Sequence, residues 1–272
     1  MGDLPESKVT PKSRAFGHTG VDYAGSFSIK ISRNKSGKAY LCLFVCMTTK
    51  AIHLELVSDL STEMFLNALK RFISRRGKCE SIMSDNGRNF IEATNVKAVK
   101  THLKAVINDT PLSFEELYTV LTQIEAILNS RPLCPLTNAP EELDALTPGH
   151  FLIGTSFMAL PEQSVLDVPQ NRINRYQLLT HIQQSFWKRW SREYVTQLQQ
   201  RSKWKFAVRN DELQLGKLAI IRDETSPPFR WRLGRICELH AGNDGLIRVM
   251  SLKTTTGIIQ RSLPKICILP ID

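Results

Sequence analysis

Three strand-like runs fall within residues 19–58, and the connectors between them are too short to hold the crossover that parallel neighbours need. The runs span 19–31, 39–49 and 51–58, and in the last of them apolar and polar residues alternate, as in a half-buried strand. Asn34-Lys35-Ser36-Gly37 supplies turn-forming residues between the first two. The chain is therefore expected to open as an antiparallel meander.

Helical signals follow. Ser61-Thr62-Glu63 can cap a helix with the apolar stripe Met64, Phe65, Leu69, Phe72 and Ile73, closed by Arg75-Arg76-Gly77. A short strand over 81–84 ends at Asp85-Asn86-Gly87. Val96, Val99, Leu103 and Val106 then recur at helical spacing, which predicts a helix over 96–107 beside a sheet of four core strands. Ser113 and Glu116 make a capping box for a further helix, with Leu117, Leu121, Ile124 and Leu128 facing inward.

Six of the 13 prolines lie in 131–170, a boundary-like segment, and a long basic amphipathic helix is expected over 171–205. Short β-runs after residue 216, parted by Pro227-Pro228, Asn243-Asp244-Gly245 and Thr254-Thr255-Thr256-Gly257, suggest a small five-stranded barrel. The expected organisation is α/β: a linker over 1–17, a core over 18–130, a loop and basic helical connector over 131–205, and a barrel over 206–272.

Charge narrows the partner. Lys and Arg number 36 against 26 Asp and Glu, a net charge of +10. That balance favours a polyanion, either nucleic acid or an anionic membrane surface. No run of 18 apolar residues exists and the first residues lack the apolar stretch of a secretory signal, so an intracellular protein is expected, with nuclear placement left open. The six cysteines form no CxxC pair, so no zinc site is expected and reduced core thiols are.

Two carboxylates have suggestive places. Asp22 lies inside the first strand, among apolar and glycine residues where an unpartnered charge is costly, and Asp85 ends the fourth. If those strands are neighbours, both could hold Mg²⁺ or Mn²⁺. Two such cations ~4 Å apart would activate a water or a 3′-hydroxyl and stabilise the leaving oxygen of a phosphodiester. A turn at Asp85-Asn86-Gly87 and a structural hydrogen bond at Asp22 are the alternatives. In the basic helix, Lys188, Arg189 and Arg192 could neutralise phosphates while Trp187, Trp190 and Trp204 stack on bases, or the tryptophans could dock the helix on the core.

A resemblance bears on that choice. Residues 16–25 (with Thr19-Gly20-Val21-Asp22-Tyr23-Ala24-Gly25), Thr49-Lys50-Ala51-Ile52-His53-Leu54-Glu55-Leu56-Val57-Ser58, Arg75-Arg76-Gly77, Ser84-Asp85-Asn86-Gly87, Leu128-Asn129-Ser130-Arg131-Pro132-Leu133, Leu146-Thr147-Pro148-Gly149-His150 and Arg230-Trp231-Arg232-Leu233-Gly234-Arg235 carry it. In this order they resemble the integrase core of BEL/Pao-type LTR retrotransposons and the region that follows it, over nearly the whole chain. The resemblance implies a ribonuclease H-like core with a D,D,E site for Mg²⁺ or Mn²⁺, an SH3-like barrel, and two-metal cleavage and strand transfer in DNA integration. Asp22 and Asp85 take the places of the two aspartates as catalytic residues and metal ligands. Arg230, Arg232 and Arg235 would join Lys188, Arg189 and Arg192 in holding the DNA phosphate backbone. No membrane contact is implied, and self-association is left open.

The departures weaken the chemistry. The family's third carboxylate stands on a helix well beyond the second aspartate, yet here the segment that follows it begins at Val96, only 11 residues after Asp85. An internal deletion near 95–96 would remove a strand and the start of that helix. Ala93 falls where the glutamate would align, with Glu92 one residue away, ~100° around a helix. Glu125 follows Asp85 by 40 positions but belongs to a later helix of the pattern, and Glu116 has its capping task. Ser26 stands where the family has proline and Arg88 where it has threonine. The expectation is an integrase-like DNA-binding protein with impaired catalysis; the alternatives are a non-enzymatic nucleic-acid-binding protein and a decayed element copy.

Overall fold

The computed structural model describes residues 14–84, 93–107, 110–137, 139–201, 215–223, 225–243 and 245–270. Two compact units divide the chain: Met1–Ser130 with Pro148–Trp187, and Arg131–Thr147 with Lys188–Asp272. Residues 131–205, read from the sequence as a connector, are thus shared between them.

The first unit opens with the expected meander, β1 (His18–Ser32), β2 (Lys35–Cys46) and β3 (Ile52–Val57). All its pairings are antiparallel, with Asp22 opposite Leu43 and Leu43 opposite Leu54. The turn differs from expectation. Ser32 pairs with Lys35, so the chain reverses at Arg33-Asn34, and Lys35-Ser36-Gly37-Lys38 continues β2. Gly37 lies under the Ile31 side chain: a Cβ there would meet Cδ1 of Ile31 at 2.6 Å and push that exposed side chain aside.

Helix α1 (Thr62–Arg76) begins as its cap residues predict, with Ser61 Oγ accepting the Met64 N–H, and stops at Gly77, whose φ of 84° suits glycine. It carries the chain back so that β4 (Ser81–Ser84) runs parallel to β1, with His18 opposite Ser81 and Val21 opposite Ser84. Next come α2 (Ala93–Ile107), a two-residue β5 (Leu112–Ser113) and α3 (Phe114–Asn129), which starts in the predicted capping box. β5 pairs with Ile29 and Lys30, on the edge of β1 that β4 also uses. The four expected core strands therefore gain a short fifth that lies on β1 itself.

The meander is covered on both faces, which the alternation over 51–58 did not suggest: all six residues of β3 are buried. On one face Phe16, Phe44 and Phe72 pack together, the last two stacked at 4.3 Å. After a short α4 (His150–Ile153), α5 (Arg175–Arg201) is capped by Asn174, whose Oδ1 accepts the Gln177 N–H. The expected helix over 171–205 thus begins later.

In the second unit β6 (Cys134–Pro135) pairs with β7 (Ala145–Leu146). β8 (Leu218–Ile221), β9 (Leu233–Ala241), β10 (Ile247–Thr254), β11 (Gly257–Ser262) and β12 (Ile266–Ile268) form an antiparallel sheet in the order β11-β10-β9-β8-β12. The strand count matches the sequence reading of a small SH3-like barrel, and among the described residues no ladder closes the sheet into one. Among the described residues β11 pairs only with β10 and β12 only with β8, because a single 3₁₀ turn, Leu263–Lys265, carries the chain from one edge to the other without a ladder between them. Ala219, Ile221, Ile236, Met250, Leu252 and Ile266 make its core.

Candidate functional site

The parallel ladder between β1 and β4 ends at Val21 and Ser84, one residue before each aspartate singled out from the sequence. Asp22 is exposed, with its carboxylate 46% accessible, so strand burial imposes no desolvation cost on it. One oxygen accepts the Tyr23 N–H at 2.7 Å, and the other meets Nζ of Lys100 at 2.5 Å. Lys100 reaches it from α2, the helix whose buried stripe of Val99, Leu103 and Ile107 turns that side of the helix to the sheet. Asp85, Arg88 and Glu92 lie outside the described residues, as does the side chain of Ala93. Among the described residues no three His, Cys, Asp or Glu groups gather as metal ligands.

The other glutamates lie elsewhere. Glu116 caps α3 and pairs with Arg175, which, ahead of its other partners, holds its carboxyl below the usual range. Glu115 is exposed. Glu125 enters a buried cluster that the sequence reading did not foresee. His53, 2% exposed, lies between two carboxylates, with Nε2 at 3.0 Å from Glu55 and Nδ1 at 3.1 Å from Glu125. Arg71 and Arg75 close on Glu55 at 2.5 and 2.8 Å, and Arg76 pairs with Glu125. Glu125 also accepts the Leu54 N–H, and Asn129 brackets Ile52 through its N–H and its carbonyl.

Burial alone would lower the His53 pKa, but the hydrogen bonds to Glu125 and Glu55 outweigh it and raise the value. Burial would raise that of Glu55, yet bonds from His53 and Arg71 hold it down. The cluster sets two carboxylates against three arginines and a histidine and joins β3 to α1 and α3. Sequence could have flagged it by two polar residues, His53 and Glu55, on consecutive inward positions of one strand. The expectation of core thiols holds for Cys42, Cys46 and Cys267, with Cys42 and Cys267 pushed up to about 12 by burial, but not for Cys79 and Cys134, which are half-buried, or Cys237, which is exposed.

The predicted cations divide sharply. Lys188, Arg189 and Arg192 are exposed on one face of the part of α5 that belongs to the second unit. Trp187 and Trp190 are 5% and 2% exposed, so both pack inward and do not offer stacking surfaces; Trp204 lies outside the described residues. Trp190 stacks on Tyr194 and meets Trp231 edge-on, while the Tyr194 hydroxyl donates to the Pro132 carbonyl at 2.6 Å. Arg230 is exposed, and Arg232 is half-buried and paired with Asp223 at 3.0 Å. Arg235 was expected to hold DNA, but it is 5% exposed and gives its guanidinium to the carbonyls of Glu142, Gly216 and Thr137 at 2.7–2.8 Å. It staples its own unit.

Residues 174–269 match a protein family of unknown function, DUF5641. No curated protein matches the chain. Among solved structures, the chain is similar to one in the cryo-EM structure of the simian T-cell lymphotropic virus intasome in complex with the PP2A regulatory subunit B56 gamma. The likeness covers 99% of this chain and 87% of that one, at 11% identity and a TM-score of 0.37.

Proposed function

We propose that this chain is an integrase-like protein that binds duplex DNA through the phosphate backbone and has lost efficient two-metal strand transfer. The observation that carries the binding is the row Lys188, Arg189 and Arg192: three cations on one helical face, exposed and without an acidic partner among the described residues. Such groups release counterions when they meet phosphates, which drives association at low salt. Arg230 adds a fourth exposed cation. The meander with a parallel fourth strand, whose ladder with β1 ends at Val21 and Ser84, and the BEL/Pao-like motifs support the integrase lineage.

Divalent-metal chemistry fits poorly. Among the described residues Asp22 is the one carboxylate at the strand edge, and an ammonium group already lies on it. A cation entering there would have to displace Lys100 and find other anionic ligands. Asp22 and Asp85 remain the candidates for such a site, with Mg²⁺ or Mn²⁺ as the ion. The protein would act where DNA is held and not cut; a nucleus-located role follows from that partner.

Two measurements test the reading. Fluorescence anisotropy with duplex DNA at low salt should show binding near micromolar concentration. Replacing Lys188, Arg189 and Arg192 by Gln should shallow the log–log salt dependence by roughly 2.7, or about 0.9 for each lost contact. Mg²⁺-dependent strand transfer by the native chain, abolished by Asp85→Asn, would overturn the impairment.

A further inference from the structure

Beyond the row on α5, the first unit carries a second cationic feature. From Tyr23 to Leu54 the chain contains no Asp or Glu, and Lys30, Arg33, Lys35 and Lys38 fall in the middle of that stretch. All four are exposed, and none has an ion pair with a described residue. Arg33, Lys35 and Lys38 sit where β1 and β2 run on past their neighbours, and Lys30 stands at the base of that stretch. β3 pairs with β2 only from Tyr40 to Val45, and β5 reaches β1 only at Ile29 and Lys30. Residues 31–38 are therefore a two-stranded ribbon, reversing at Arg33-Asn34. Ile31, 58% exposed, lies over Gly37, and the ladder from Ile29–Gly37 to Ser32–Lys35 holds the two strands of the tip together.

We infer that this ribbon is a second DNA-binding element, which enters the major groove of a B-form duplex and places Arg33, Lys35 and Lys38, with Lys30 at its base, on the flanking phosphates. A two-stranded β-ribbon fits the B-form major groove, ~12 Å wide, whereas the deep, narrow major groove of A-form RNA excludes side chains. Absence of any acid for more than thirty residues removes the internal counter-charge that a merely solvated surface commonly has. The inference shares its partner class with the proposed function but rests on different residues, in the other unit.

The full chain is titrated with fluorescent duplex DNA over a range of salt, alongside a variant with Lys30→Gln, Arg33→Gln, Lys35→Gln and Lys38→Gln. Because all four side chains are exposed, the variant should keep the native unfolding midpoint. Its salt slope should be shallower by roughly 3.6, about 0.9 per lost contact. Lysines 30, 35 and 38 should also be protected from acetylation when DNA is bound. An unchanged slope would overturn the ribbon's role, and a parallel loss of slope in the Lys188, Arg189 and Arg192 variant would show that the function reading survives it. Equal binding to duplex RNA, with the same loss in the variant, would overturn groove entry. Equal competition by polyglutamate at matched ionic strength would assign the ribbon to an acidic protein instead. No binding of DNA by the native chain would overturn both.

Discussion

Two carboxylate–cation clusters stand on the same sheet and have opposite characters. Asp22, the residue that sequence marks as chemical, is half exposed and holds a single lysine. Glu55 and Glu125, which sequence leaves in the background, are buried and share one histidine and three arginines. Motif position tells which carboxylate resembles a catalytic one, but burial tells which one the fold depends on. Desolvating a charge costs several kcal/mol unless it is paired, so the buried cluster has to be complete, whereas an exposed pair is worth about 0.2–1 kcal/mol.

That contrast breaks most visibly at Glu55. Glu55→Ala should cost about 2–4 kcal/mol, because it removes one of the two carboxylates around the buried His53 and the shared partner of Arg71 and Arg75, which are themselves part-exposed. Urea unfolding measures it, and a loss under 1 kcal/mol would erase the distinction. Arg235→Ala should cost roughly 2–4 kcal/mol by stranding the Glu142, Gly216 and Thr137 carbonyls, while Arg230→Ala should leave stability unchanged.

A pH series sharpens the comparison further. His53 has a folded pKa above its unfolded value, so its contribution is full below the ordinary imidazole range and fades as pH rises through the folded value. Glu55 has a lowered folded pKa, so its contribution is present above the ordinary carboxylate range and fades as pH falls through the folded value. The urea midpoint should therefore peak between the two and decline on the alkaline side. His53→Gln should remove that alkaline decline. The smallest effect belongs to Lys100→Met, about 0.2–1 kcal/mol and screened by salt. If the lysine blocks cation entry, Mn²⁺ binding to the variant should also exceed that to the native chain.

Much of the fold was legible because local signals agreed with the tertiary result. The cap at Ser61, the capping box at Ser113 and Glu116, and the stripe through Val99 and Leu103 each work over a single turn of chain. Misreadings arose where a residue type serves two purposes. Gly37 looks like a turn residue but lies in β2, under the Ile31 side chain. Alternation over 51–58 looks like a solvated face, yet the polar positions are buried in an ion-paired cluster whose partners lie up to 72 residues away. Trp190 and Arg235 look like nucleic-acid contacts, and burial turns both inward. The candidate site was legible only to the strand edge: the neighbouring strands follow from the meander and its crossover, but Lys100 on Asp22 depends on how α2 lies, which no local pattern encodes.

The Arg235 staple has a consequence for modularity. Two of its three carbonyl acceptors, from Thr137 and Glu142, come from the excursion of residues 131–147, nearly a hundred positions upstream. The stretch that recurs as a family, 174–269, leaves that excursion out. A gene fusion or shuffling event that moved only this stretch would carry a buried guanidinium into its new host without the carbonyls it needs. A fragment beginning at residue 174 would leave Arg235 with Gly216 as its one carbonyl partner of the three, and should unfold at lower urea than a fragment beginning at Arg131.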